Sequence, residues 1–462
     1  MPRLFGTQGF RGLVNEELTA TVAHDIGLAM ANYLGQEKTV GIGWDSRISS
    51  EMLGLAFSAG VMSGGCNVHL LGLVPTPLLS YAIPQLEFDG GVMVTASHNP
   101  PEFNGIKLWG ADGASYTTEM ERKIEAFYFA SKKLRAPWQK CGHRIPFDDY
   151  RPKYVKSLVK QVNRKRLEKR QFHVVADCGG GAASRVVPML LKSIEAQTEL
   201  LFCEPDGSFK HRLPEPTQVN LTKLIRLVKE KDVDVGMAWD GDADRIVLVS
   251  ETGRYLMGDR TFALAAFHKL RNLKEKPKRI VTQVATSDVI RDVAQTVGAE
   301  LIQTCVGEPN IVTTMKQENA QIGGEENGGV IYRGWSWTRE GMLTALLILD
   351  LLAAEDQSLE EFDRQFPFYF QIKEKVACAN ALKQDLLARV VSLAPTDADC
   401  ETIDGVKLRY TDGWVLLRPS GTEPIFRVFA EAKTESRARV LIENGLSLVE
   451  DALEEIKEPS KE

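Results

Sequence analysis

The stretch Gly-Gly-Val-Met-Val-Thr-Ala-Ser-His-Asn-Pro at residues 90–100 begins as an apolar run and ends in a polar loop with a serine at position 97. The same layout recurs at 232–245 (DVDVGMAWDGDADR), 320–329 (AQIGGEENGG) and 414–424 (WVLLRPSGTEP). Ligand sites of α/β domains lie where strands end. We therefore expect the four loops, about one per domain, to face a shared cleft.

Short apolar runs alternate with amphipathic helical stretches, a pattern that predicts α/β units with mostly parallel sheets. The predicted strands lie at 39–44, 91–95, 173–176, 233–238, 279–284 and 300–303. The predicted helices lie at 20–34, 50–60, 154–162, 222–231, 261–273 and 287–297. From residue 368 onward a strand at 368–377, a hairpin over 405–417, a strand at 426–431 and a helix at 436–456 predict a smaller α+β domain.

Composition limits the classes of protein that need to be considered. The chain has 462 residues, 44% hydrophobic and 26% charged, as in ordinary globular proteins of several domains. Its formal net charge of −6 gives no bulk attraction for nucleic acid or an acidic membrane. The most apolar stretch, 342–354, contains Asp350 and is too short to span a bilayer, so it predicts a core helix. Without an apolar signal region at the start, we expect a cytoplasmic protein with no membrane or nucleic-acid partner.

The seven cysteines are scattered along the chain and never form a CxxC pair. An odd number without metal-site spacing favours free thiols in a reducing compartment over a disulfide framework. We therefore predict that the cysteines are not paired with one another.

The first polar loop, residues 95–107, carries a serine at the end of a predicted strand, where its hydroxyl can project from the fold. As a phosphoryl carrier, Ser97 would split one transfer into two easier steps, which is nucleophilic catalysis. His98 and Asn99 can orient or donate to a phosphate, and Lys107 can exchange protons with a sugar hydroxyl if its pKa is lowered. Taken alone, Ser-His-Asn-Pro is equally compatible with a simple turn. A lipase-type triad is disfavoured because there is no G-x-S-x-G elbow.

The second loop, Asp240-Gly-Asp-Ala-Asp-Arg245, has a carboxylate at every other position, so that in an extended loop all three project to one side. Three like charges repel one another unless a cation lies between them. Hard oxygen ligands in this number suit Mg²⁺. An EF-hand is disfavoured because Arg245 stands where that loop requires glycine. A solvated acidic turn is the remaining alternative, and the apolar runs on both sides of the cluster weaken it.

The third loop, residues 323–329, places Glu325, Glu326 and Asn327 between glycines. These side chains can hydrogen-bond vicinal sugar hydroxyls, and the glycines let the backbone approach a ligand closely. A glycosidase acid–base pair is disfavoured because adjacent glutamates alternate direction on an extended chain. On its own, this loop is more typical of a plain turn.

The fourth loop, residues 418–427, combines two hydroxyls, glycine-exposed N–H groups and two arginines, which together make a good phosphate cradle. It lacks the GK[ST] ending of a P-loop, so nucleotide binding is not implied. A structural turn is the alternative for this loop as well.

Three weaker features accompany the loops. Arg11 in Gly9-Phe-Arg-Gly is a cation beside glycine, as a phosphate contact would be. Asp45 and Arg47 either support the same set or form a simple surface ion pair, and the ion pair is the favoured interpretation. The stretch Asp177-Cys-Gly-Gly-Gly follows a predicted strand but lacks G-x-G-x-x-G, so it predicts a tight strand-to-helix turn rather than a dinucleotide site.

In this order, TASHNPPEFNGIK, DGDADR, GEENGG and RPSGTEPxxR resemble the α-D-phosphohexomutase family, and the opening FGTQGFRG is similar to that family's start. The resemblance covers essentially the whole chain and is closest to the archaeal-type branch. It implies an α/β fold with four domains around a central cleft, three of related topology with mixed sheets and a smaller α+β fourth. The expected domains are 1–152 with the phosphoserine loop, 153–252 with the metal loop, 253–367 with the sugar loop and 368–462 with the phosphate loop.

The resemblance also implies an activity and its cofactors. A hexose 1-phosphate and a hexose 6-phosphate would be interconverted through a phosphoserine and a bisphosphorylated sugar, with one Mg²⁺ per chain and a sugar 1,6-bisphosphate as activator. The implied metal ligands are Asp240, Asp242, Asp244 and a phosphate oxygen on Ser97. The implied catalytic residues are Ser97, Lys107, His98, Arg11 and Arg245. The implied substrate-binding residues are Glu325, Asn327, Arg418, Ser420, Gly421, Thr422 and Arg427.

Departures from the family pattern concern the sugar rather than the phosphoryl chemistry. Many relatives have serine and histidine where Asn327 and Gly329 stand, and the segment 332–341 is unusually aromatic. Trp335 and Trp337 in that segment predict either packing at a domain junction or an indole wall against the sugar. Glucose, mannose and glucosamine phosphates are competing substrates, and a homo-oligomer is left open. A phosphopentomutase, a sugar-phosphate phosphatase and a non-catalytic sugar-phosphate binding protein remain the alternatives.

Overall fold

The computed structural model describes residues 4–6, 9–421 and 423–457. Within these residues the strands form four sheets that follow one another along the chain without exchanging strands. This arrangement agrees with the expected four-domain architecture. Three short 3₁₀ helices, at Trp138–Lys140, Ala182–Arg185 and Asn380–Leu382, lie in the connections.

The first sheet has its strands at β1 (Phe10–Leu13), β2 (Thr39–Trp44), β3 (Asn67–Leu73), β4 (Gly90–Val94), β5 (Phe103–Gly110) and β6 (Arg144–Ile145). Its helices are α1 (Ala20–Leu34), α2 (Ser50–Ser63), α3 (Thr76–Gln85) and α4 (Thr118–Tyr128). The strand order is β1-β5-β4-β2-β3-β6. Strand β2 pairs in parallel with β3 and β4, whereas β5 returns antiparallel to β4. The turn between β4 and β5 is therefore the serine loop.

The second sheet has its strands at β7 (His173–Asp177), β8 (Gln197–Leu201), β9 (Val235–Trp239), β10 (Ile246–Ser250) and β11 (Tyr255–Leu256). Its helices are α5 (Arg151–Val159), α6 (Arg164–Arg170), α7 (Val187–Ser193) and α8 (Thr222–Lys231). The strand order is β11-β10-β9-β7-β8. Strand β7 pairs in parallel with β8 and β9, and β10 pairs antiparallel with β9. The aspartate loop joins β9 to β10.

The third sheet has its strands at β12 (Lys278–Gln283), β13 (Ala299–Thr304), β14 (Ile322–Gly324), β15 (Val330–Tyr332) and β16 (Ser336–Glu340). Its helices are α9 (Gly258–Arg271), α10 (Val289–Val297), α11 (Glu308–Gln317), α12 (Gly341–Glu355) and α13 (Leu359–Asp363). The strand order is β13-β12-β14-β15-β16, parallel on one side and antiparallel on the other. The third polar loop turns from β14 into β15.

The fourth sheet has its strands at β17 (Phe370–Ala377), β18 (Asp399–Glu401), β19 (Val406–Tyr410), β20 (Gly413–Pro419) and β21 (Ile425–Ala432). Its helices are α14 (Lys383–Ser392) and α15 (Glu435–Lys457). The order is β17-β21-β20-β19-β18, and every pairing is antiparallel. The predicted α+β character of this part is confirmed, and the phosphate loop turns from β20 into β21.

Local periodicity predicts mostly parallel sheets, but the first three sheets of the structure are mixed. Each of the first three sheets is parallel in one part and then turns back through a hairpin whose loop carries a polar motif. Residues 95–107 are interpreted above as one loop, yet β5 begins at Phe103 and places Lys107 on a strand. A lysine and two glycines within 103–110 interrupt the apolar pattern that would have revealed this strand.

The apolar core is continuous between the second and third sheets. A single cluster of buried side chains joins α5, α7, β7 and β9 to α9, α10 and α12. Helix α12 is buried from Gly341 to Leu352, because it packs on all sides, as its apolar sequence predicts. No helix in 4–6, 9–421 and 423–457 is both long and apolar enough to cross a bilayer.

The prediction that no cysteines are paired is wrong for one pair. Cys178 and Cys203 form a disulfide, with their Cα atoms 5.0 Å apart. Cys178 follows β7 and Cys203 follows β8, and these strands are neighbours in the sheet. The spacing of 25 residues in the sequence gives no sign of this proximity, because a whole helix lies between the two strands.

Candidate active site

Ser97 lies in the turn between β4 and β5 and is buried. Its hydroxyl donates to Asp240 Oδ2 at 2.7 Å, and His98 Nδ1 lies 3.3 Å from the Ser97 hydroxyl oxygen itself. The backbone of Ser97 is left-handed, with φ of +53°. Such a conformation is strained for a residue with a side chain and persists only where the surroundings enforce it, often at functional sites.

The surroundings that enforce this conformation are centred on Arg47. Its guanidinium donates to the carbonyl oxygens of Ser97, Asn99, Pro100 and Phe103, at distances of 2.6–3.0 Å. Asp45 binds the Arg47 side chain and also accepts from the hydroxyls of two other residues, Ser50 and Thr95. The expectation of a surface ion pair is therefore wrong, because Asp45 and Arg47 are buried and brace the serine loop.

The three aspartates of the loop between β9 and β10 form one buried cluster. Asp240, Asp242 and Asp244 each offer a carboxylate oxygen, and these oxygens lie within 4.8 Å of one another. Within the described part of the chain, the Oδ1 atoms of Asp242 and Asp244 are buried without a hydrogen-bond partner. Unpaired buried carboxylate oxygens are costly. This donor set fits a hard divalent cation such as Mg²⁺.

Two donors from the first sheet and its helices bind Asp242. Lys107 Nζ lies 3.0 Å from Asp242 Oδ2, and the Thr76 hydroxyl donates to the same oxygen at 2.7 Å. Burial opposes ionisation of this carboxyl, but Lys107 and the hydrogen bonds outweigh it and hold the pKa of Asp242 below its ordinary value. Burial, followed by the charges of Asp242 and Asp244, raises the pKa of Asp240. Lys107 therefore belongs to the cluster, although it lies on a strand.

The third loop packs directly against the aspartate loop. A Cβ at position 329 would lie 2.0 Å from the carbonyl oxygen of Asp244, and one at 328 would lie 1.9 Å from that of Ile246. Gly328 also has φ of +96°, which favours glycine. These two glycines therefore serve close backbone packing, which leaves no room for a histidine at position 329.

Arg339 on β16 is a site residue that the sequence reasoning missed. It donates Nη2 to Asp244 Oδ2 at 2.6 Å and Nη1 to Glu325 Oε2. Its Nε lies 3.2 Å from Glu308 Oε2. Burial would lower the pKa of Arg339, but Asp244, Glu325 and Glu308 outweigh it and raise that pKa well above its ordinary value.

The signal for Arg339 in the sequence is weak, since it is the last basic residue of an aromatic strand. Glu308, the other missed residue, opens helix α11 after Gly307 and accepts from the hydroxyls of Thr338 and Ser115. Burial raises the pKa of Glu308, with Arg339 opposing it. No spacing in the sequence links Glu308 to the third loop.

The sugar-loop residues lie at the mouth of this network. Asn327 Nδ2 donates to Glu325 Oε2 at 3.3 Å. In the described residues, the Asn327 Oδ1 atom is buried without a hydrogen-bond partner. Glu326 points away from this pair and binds Lys373 Nζ at 2.9 Å, which connects the third loop to β17. Glu325 and Asn327 are thus adjacent, as the motif predicts.

Cationic side chains surround the serine at the surface of the cleft. Arg11 donates to Asn99 Oδ1 at 3.1 Å, and burial, followed by Arg245, lowers the pKa of Arg11 to about 10. Arg245 Nε lies 3.9 Å from carboxylate oxygens of both Asp240 and Asp244. The charge of Arg245, then burial, strongly lowers the pKa of His98, so its imidazole is neutral at pH 7. The arrangement attracts anions while keeping an uncharged imidazole beside Ser97.

These groups line or underlie one cleft of about 1500 Å³. Its walls come from all four sheets and their loops, as the shared-cleft prediction requires. The predicted site residues on its surface are Arg11, His98, Arg245, Glu325, Asn327, Gly421 and Arg427. Ser97, Lys107 and the three aspartates lie just beneath it and are buried.

The fourth loop reaches the cleft with only part of its predicted set. Arg427 lines the cleft and donates to Glu423 Oε2 at 2.6 Å. Arg418 and Ser420 are not among the described residues that line the cleft. Arg418 instead pairs with Asp404 at 3.1 Å. The Ser420 hydroxyl accepts from the Glu423 N–H. Thr422 lies outside the described residues.

The tryptophans of the third domain are not a sugar wall. The Trp335 ring stacks on Tyr81 with centroids 4.4 Å apart, and its Nε1 donates to Glu340. Glu340 also accepts from the hydroxyl of Tyr154. Neither Trp335 nor Trp337 is among the described residues that line the cleft. Trp335 therefore packs at a junction of α3, α5 and β16.

Comparison with known proteins gives matches along most of the chain. Four protein-family models match successive parts of the chain. They describe the phosphoglucomutase/phosphomannomutase alpha/beta/alpha domain I over 2–135, domain II over 152–253, domain III over 257–368, and the C-terminal domain over 371–444. A phosphoglucomutase/phosphomannomutase of Thermococcus kodakarensis is 40% identical over 98% of this chain and 100% of its own length.

Two further similarities extend this result. A probable phosphoglucosamine mutase of Methanopyrus kandleri is 37% identical over 99% of this chain and 100% of its own length. A phosphoglucomutase/phosphomannomutase family protein of Burkholderia thailandensis has the same fold, with a TM-score of 0.87, 24% identity and coverage of 97% of both chains.

Proposed function

This chain belongs to the phosphoglucomutase/phosphomannomutase family, and we propose that it interconverts a hexose 1-phosphate and a hexose 6-phosphate through Ser97. One observation carries the proposal. The Ser97 hydroxyl contacts a buried cluster of three carboxylates directly beneath a cleft lined by arginines. A phosphoryl group on this oxygen would lie between cation ligands on one side and cationic side chains on the other.

The proposed reaction begins with a phosphorylated Ser97. The bond from phosphorus to Ser97 Oγ breaks while phosphorus bonds to the free sugar hydroxyl, and the hydroxyl proton passes to a base. We assign this acid–base role to Lys107, with His98 and Arg11 assisting and Arg245 steadying the phosphoserine. The sugar bisphosphate then turns around and returns its other phosphate to Ser97. The proton taken by the base passes to the leaving Ser97 oxygen. In the return step the Ser97 hydroxyl loses its proton as its oxygen bonds to phosphorus, and that proton passes to the released sugar oxygen, so the net reaction is an isomerisation.

The far end of the cleft is the proposed grip for the phosphate that is not transferring. Arg427 and Gly421 line it, and we assign Arg418, Ser420 and Thr422 to the same loop function. Because either end of the sugar must fit, this grip should act through charge and backbone N–H groups rather than through shape. A sugar 1,6-bisphosphate would prime unphosphorylated protein by donating one of its phosphates to Ser97.

We propose Mg²⁺ as the cation, held by Asp240, Asp242, Asp244 and an oxygen of the phosphorylated Ser97. When bound, it supplies positive charge that offsets the negative charge of the transferring phosphoryl group. The unpartnered Oδ1 atoms of Asp242 and Asp244 support this assignment. Thr76, Lys107 and Arg339 hold the other aspartate oxygens and so orient the ligands before a cation arrives.

Glu325 and Asn327 are the proposed readers of the sugar hydroxyls. Their hydrogen-bonding groups support a hexose or hexosamine phosphate as substrate. The relatives from Thermococcus kodakarensis and Methanopyrus kandleri are named for different sugars. Domain boundaries at 152/153, 252/253 and 367/368 remain part of the proposal, as do a cytoplasmic location and an open oligomeric state. Nucleic acid and membrane are not proposed as partners.

A mutase panel tests the proposal. Glucose 1-phosphate, mannose 1-phosphate, glucosamine 1-phosphate and ribose 1-phosphate are compared with Mg²⁺ and a trace of the matching bisphosphate, alongside Ser97→Ala. Formation of one 6-phosphate, lost in Ser97→Ala, supports the proposed function and identifies the sugar. Preference for ribose indicates a phosphopentomutase, and net release of inorganic phosphate indicates a phosphatase. No conversion of any sugar by phosphorylated, Mg²⁺-loaded protein overturns the proposal and favours a binding protein.

A further inference from the structure

Arg339 binds carboxylates from three separate parts of the fold with one side chain. Nη2 contacts Asp244 in the aspartate loop, Nη1 contacts Glu325 in the sugar loop, and Nε faces Glu308 at the start of α11. A planar guanidinium suits such a task because its donors point in fixed directions. No other described side chain is bound both to the cation cluster and to a proposed sugar reader.

We propose that Arg339 is a positioning residue that couples the cation site to the sugar site. By holding Asp244 Oδ2, it leaves Oδ1, which has no hydrogen-bond partner among the described residues, as the oxygen available to a cation. By holding Glu325 Oε2, it fixes the carboxylate that faces the sugar. The inference rests on the proposed function, since it deepens the roles of that same site.

The position of Arg339 makes this coupling direct. The residue is the penultimate one of β16, and Glu340 caps the buried helix α12 that follows. A Cβ at position 329 would lie only 3.0 Å from the Cβ of Arg339, so Gly329 leaves room for the arginine side chain. The backbone of Arg339 is also fixed, because its N–H donates to Glu308 Oε2 at 3.2 Å. Neither end of the side chain can therefore shift without moving a carboxylate.

Arg339 acts through other residues rather than on the reacting atoms. It is buried in the wall of the cleft, and its two terminal nitrogens are already bound to carboxylates. Its charge is shared among Asp244, Glu325 and Glu308. If Glu325 loses its charge, the guanidinium is left to act more fully on Asp244 and competes with a divalent cation there. A change in the sugar loop should therefore be felt at the cation site, although Glu325 is not part of that cluster.

A double-mutant cycle measured on Mg²⁺ binding tests this coupling. The probe is Mg²⁺ alone, titrated by calorimetry into unphosphorylated protein without sugar. Four proteins are compared: the unchanged chain, Glu325→Gln, Arg339→Gln and the double variant. We expect Glu325→Gln to weaken Mg²⁺ binding at least about threefold when Arg339 is present and to have no effect when it is replaced.

Two controls separate positioning from general stability. Arg260→Gln removes another buried arginine, whose Nε donates to Asp363 Oδ1 at 2.6 Å. This arginine does not contact the three aspartates of the cluster, so its replacement should leave Mg²⁺ binding unchanged. Arg339→Lys keeps the charge but cannot hold three carboxylates, so it should also lose the coupling. It serves in place of Arg339→Gln if that variant does not fold.

Two results would overturn the inference. One is an effect of Glu325→Gln on Mg²⁺ affinity that is equal with and without Arg339, and the other is no effect in the unchanged chain. Because Mg²⁺ binding needs no turnover, these results are independent of the mutase panel. A protein that fails the panel but shows the coupling would contradict the proposed function alone.

Discussion

The hydroxyl of Ser97 donates a 2.7 Å hydrogen bond to the carboxylate of Asp240, a residue 143 positions later in the chain. The two residues sit in equivalent places, each in the turn of a hairpin that leaves a parallel sheet. A second contact supports the first, because the backbone of Thr76 donates to the carbonyl of Asp242 at 3.0 Å. The nucleophile and the proposed cation ligands are thus connected by hydrogen bonds across two domains.

Ser97→Ala should abolish mutase activity, with a loss of at least about 10³-fold, because no other oxygen takes the place of the phosphoryl carrier. The protein should stay folded, since only a hydroxyl is removed. Product formation and the mass of the phosphorylated protein are measured. Ser58→Ala is the matched control, because that hydroxyl only donates to Gly54 O within helix α2. Retention of both activity and phosphorylation in Ser97→Ala would contradict the assignment.

Removal of divalent cations by EDTA should abolish activity, and Mg²⁺ should restore it. Mg²⁺ should also raise the unfolding temperature, because it binds the folded state and relieves repulsion among three buried carboxylates. Scanning calorimetry with and without Mg²⁺ measures this shift. In Asp244→Asn the shift should be much smaller, whereas in Asp412→Asn, an aspartate that pairs with Arg437, it should match the unchanged chain. Equal shifts in all three proteins would speak against this cation site.

Glu340 should make stability depend on pH. Burial raises the pKa of Glu340 to about 7, above its ordinary value of 4.5. Between pH 4.5 and 7 the folded state holds a proton that the unfolded state has lost, so stability should fall as pH rises through this window. The total difference is roughly 3 kcal/mol, since each pKa unit corresponds to about 1.4 kcal/mol.

The comparison of the unchanged chain with Glu340→Gln isolates this effect. The difference in their unfolding temperatures is measured from pH 4.5 to pH 8. The unfolding temperature of the unchanged chain should fall steadily relative to that of Glu340→Gln up to about pH 7. Above that pH the difference between the two should stay constant. A difference that does not vary with pH would show that Glu340 does not titrate in this range.

Arg47→Gln should lower both stability and turnover. It leaves Asp45 as a buried charge without its partner, which typically costs about 3–5 kcal/mol. It also removes four hydrogen bonds that hold the serine loop in its left-handed conformation. We therefore expect the rate of phosphorylation of Ser97 by a sugar bisphosphate to fall more than the unfolding temperature explains. Arg260→Gln, with similar burial, should destabilise the protein without this effect on phosphorylation.

Arg427→Ala should weaken substrate binding rather than the chemical step. Loss of a charge-assisted contact to a phosphate corresponds to about 1.5–3 kcal/mol, or roughly a 10- to 150-fold rise in KM. The initial phosphorylation state of Ser97 should be unchanged. Arg437→Ala is the control, because that arginine pairs with Asp412 and is not among the described cleft residues. An unchanged KM in Arg427→Ala would place the distal phosphate elsewhere.

Much of the fold could be predicted from the sequence because local pattern and tertiary role agree. Helices α1 and α8 and strand β2 have the predicted bounds. Strand β5 was missed because Lys107, a buried basic residue on a strand that is buried from Asn104 to Gly110, breaks the apolar pattern. Its charge is tolerated only because Asp242 lies opposite, and this partner is 135 positions away in the chain.

The candidate site was predictable where a motif keeps its residues close in sequence. The aspartates fall together in one loop, and Glu325 lies beside Asn327. Arg339 and Glu308 were not predictable, because their role arises only when β16 and α11 pack against the aspartate loop. Arg47 was misjudged for the same reason, since its partners are backbone carbonyls that no sequence pattern reveals.

The long separation between Ser97 and Asp240 bears on how the protein is made. A ribosome adds about 5–20 residues per second, so the serine loop emerges roughly 7–30 s before its carboxylate partner. Arg339 follows later still. A half-finished chain thus displays the serine without the acidic cluster that accompanies it in the finished protein. The nascent polypeptide should therefore lack a complete site for sugar phosphates until translation has passed the fourth sheet.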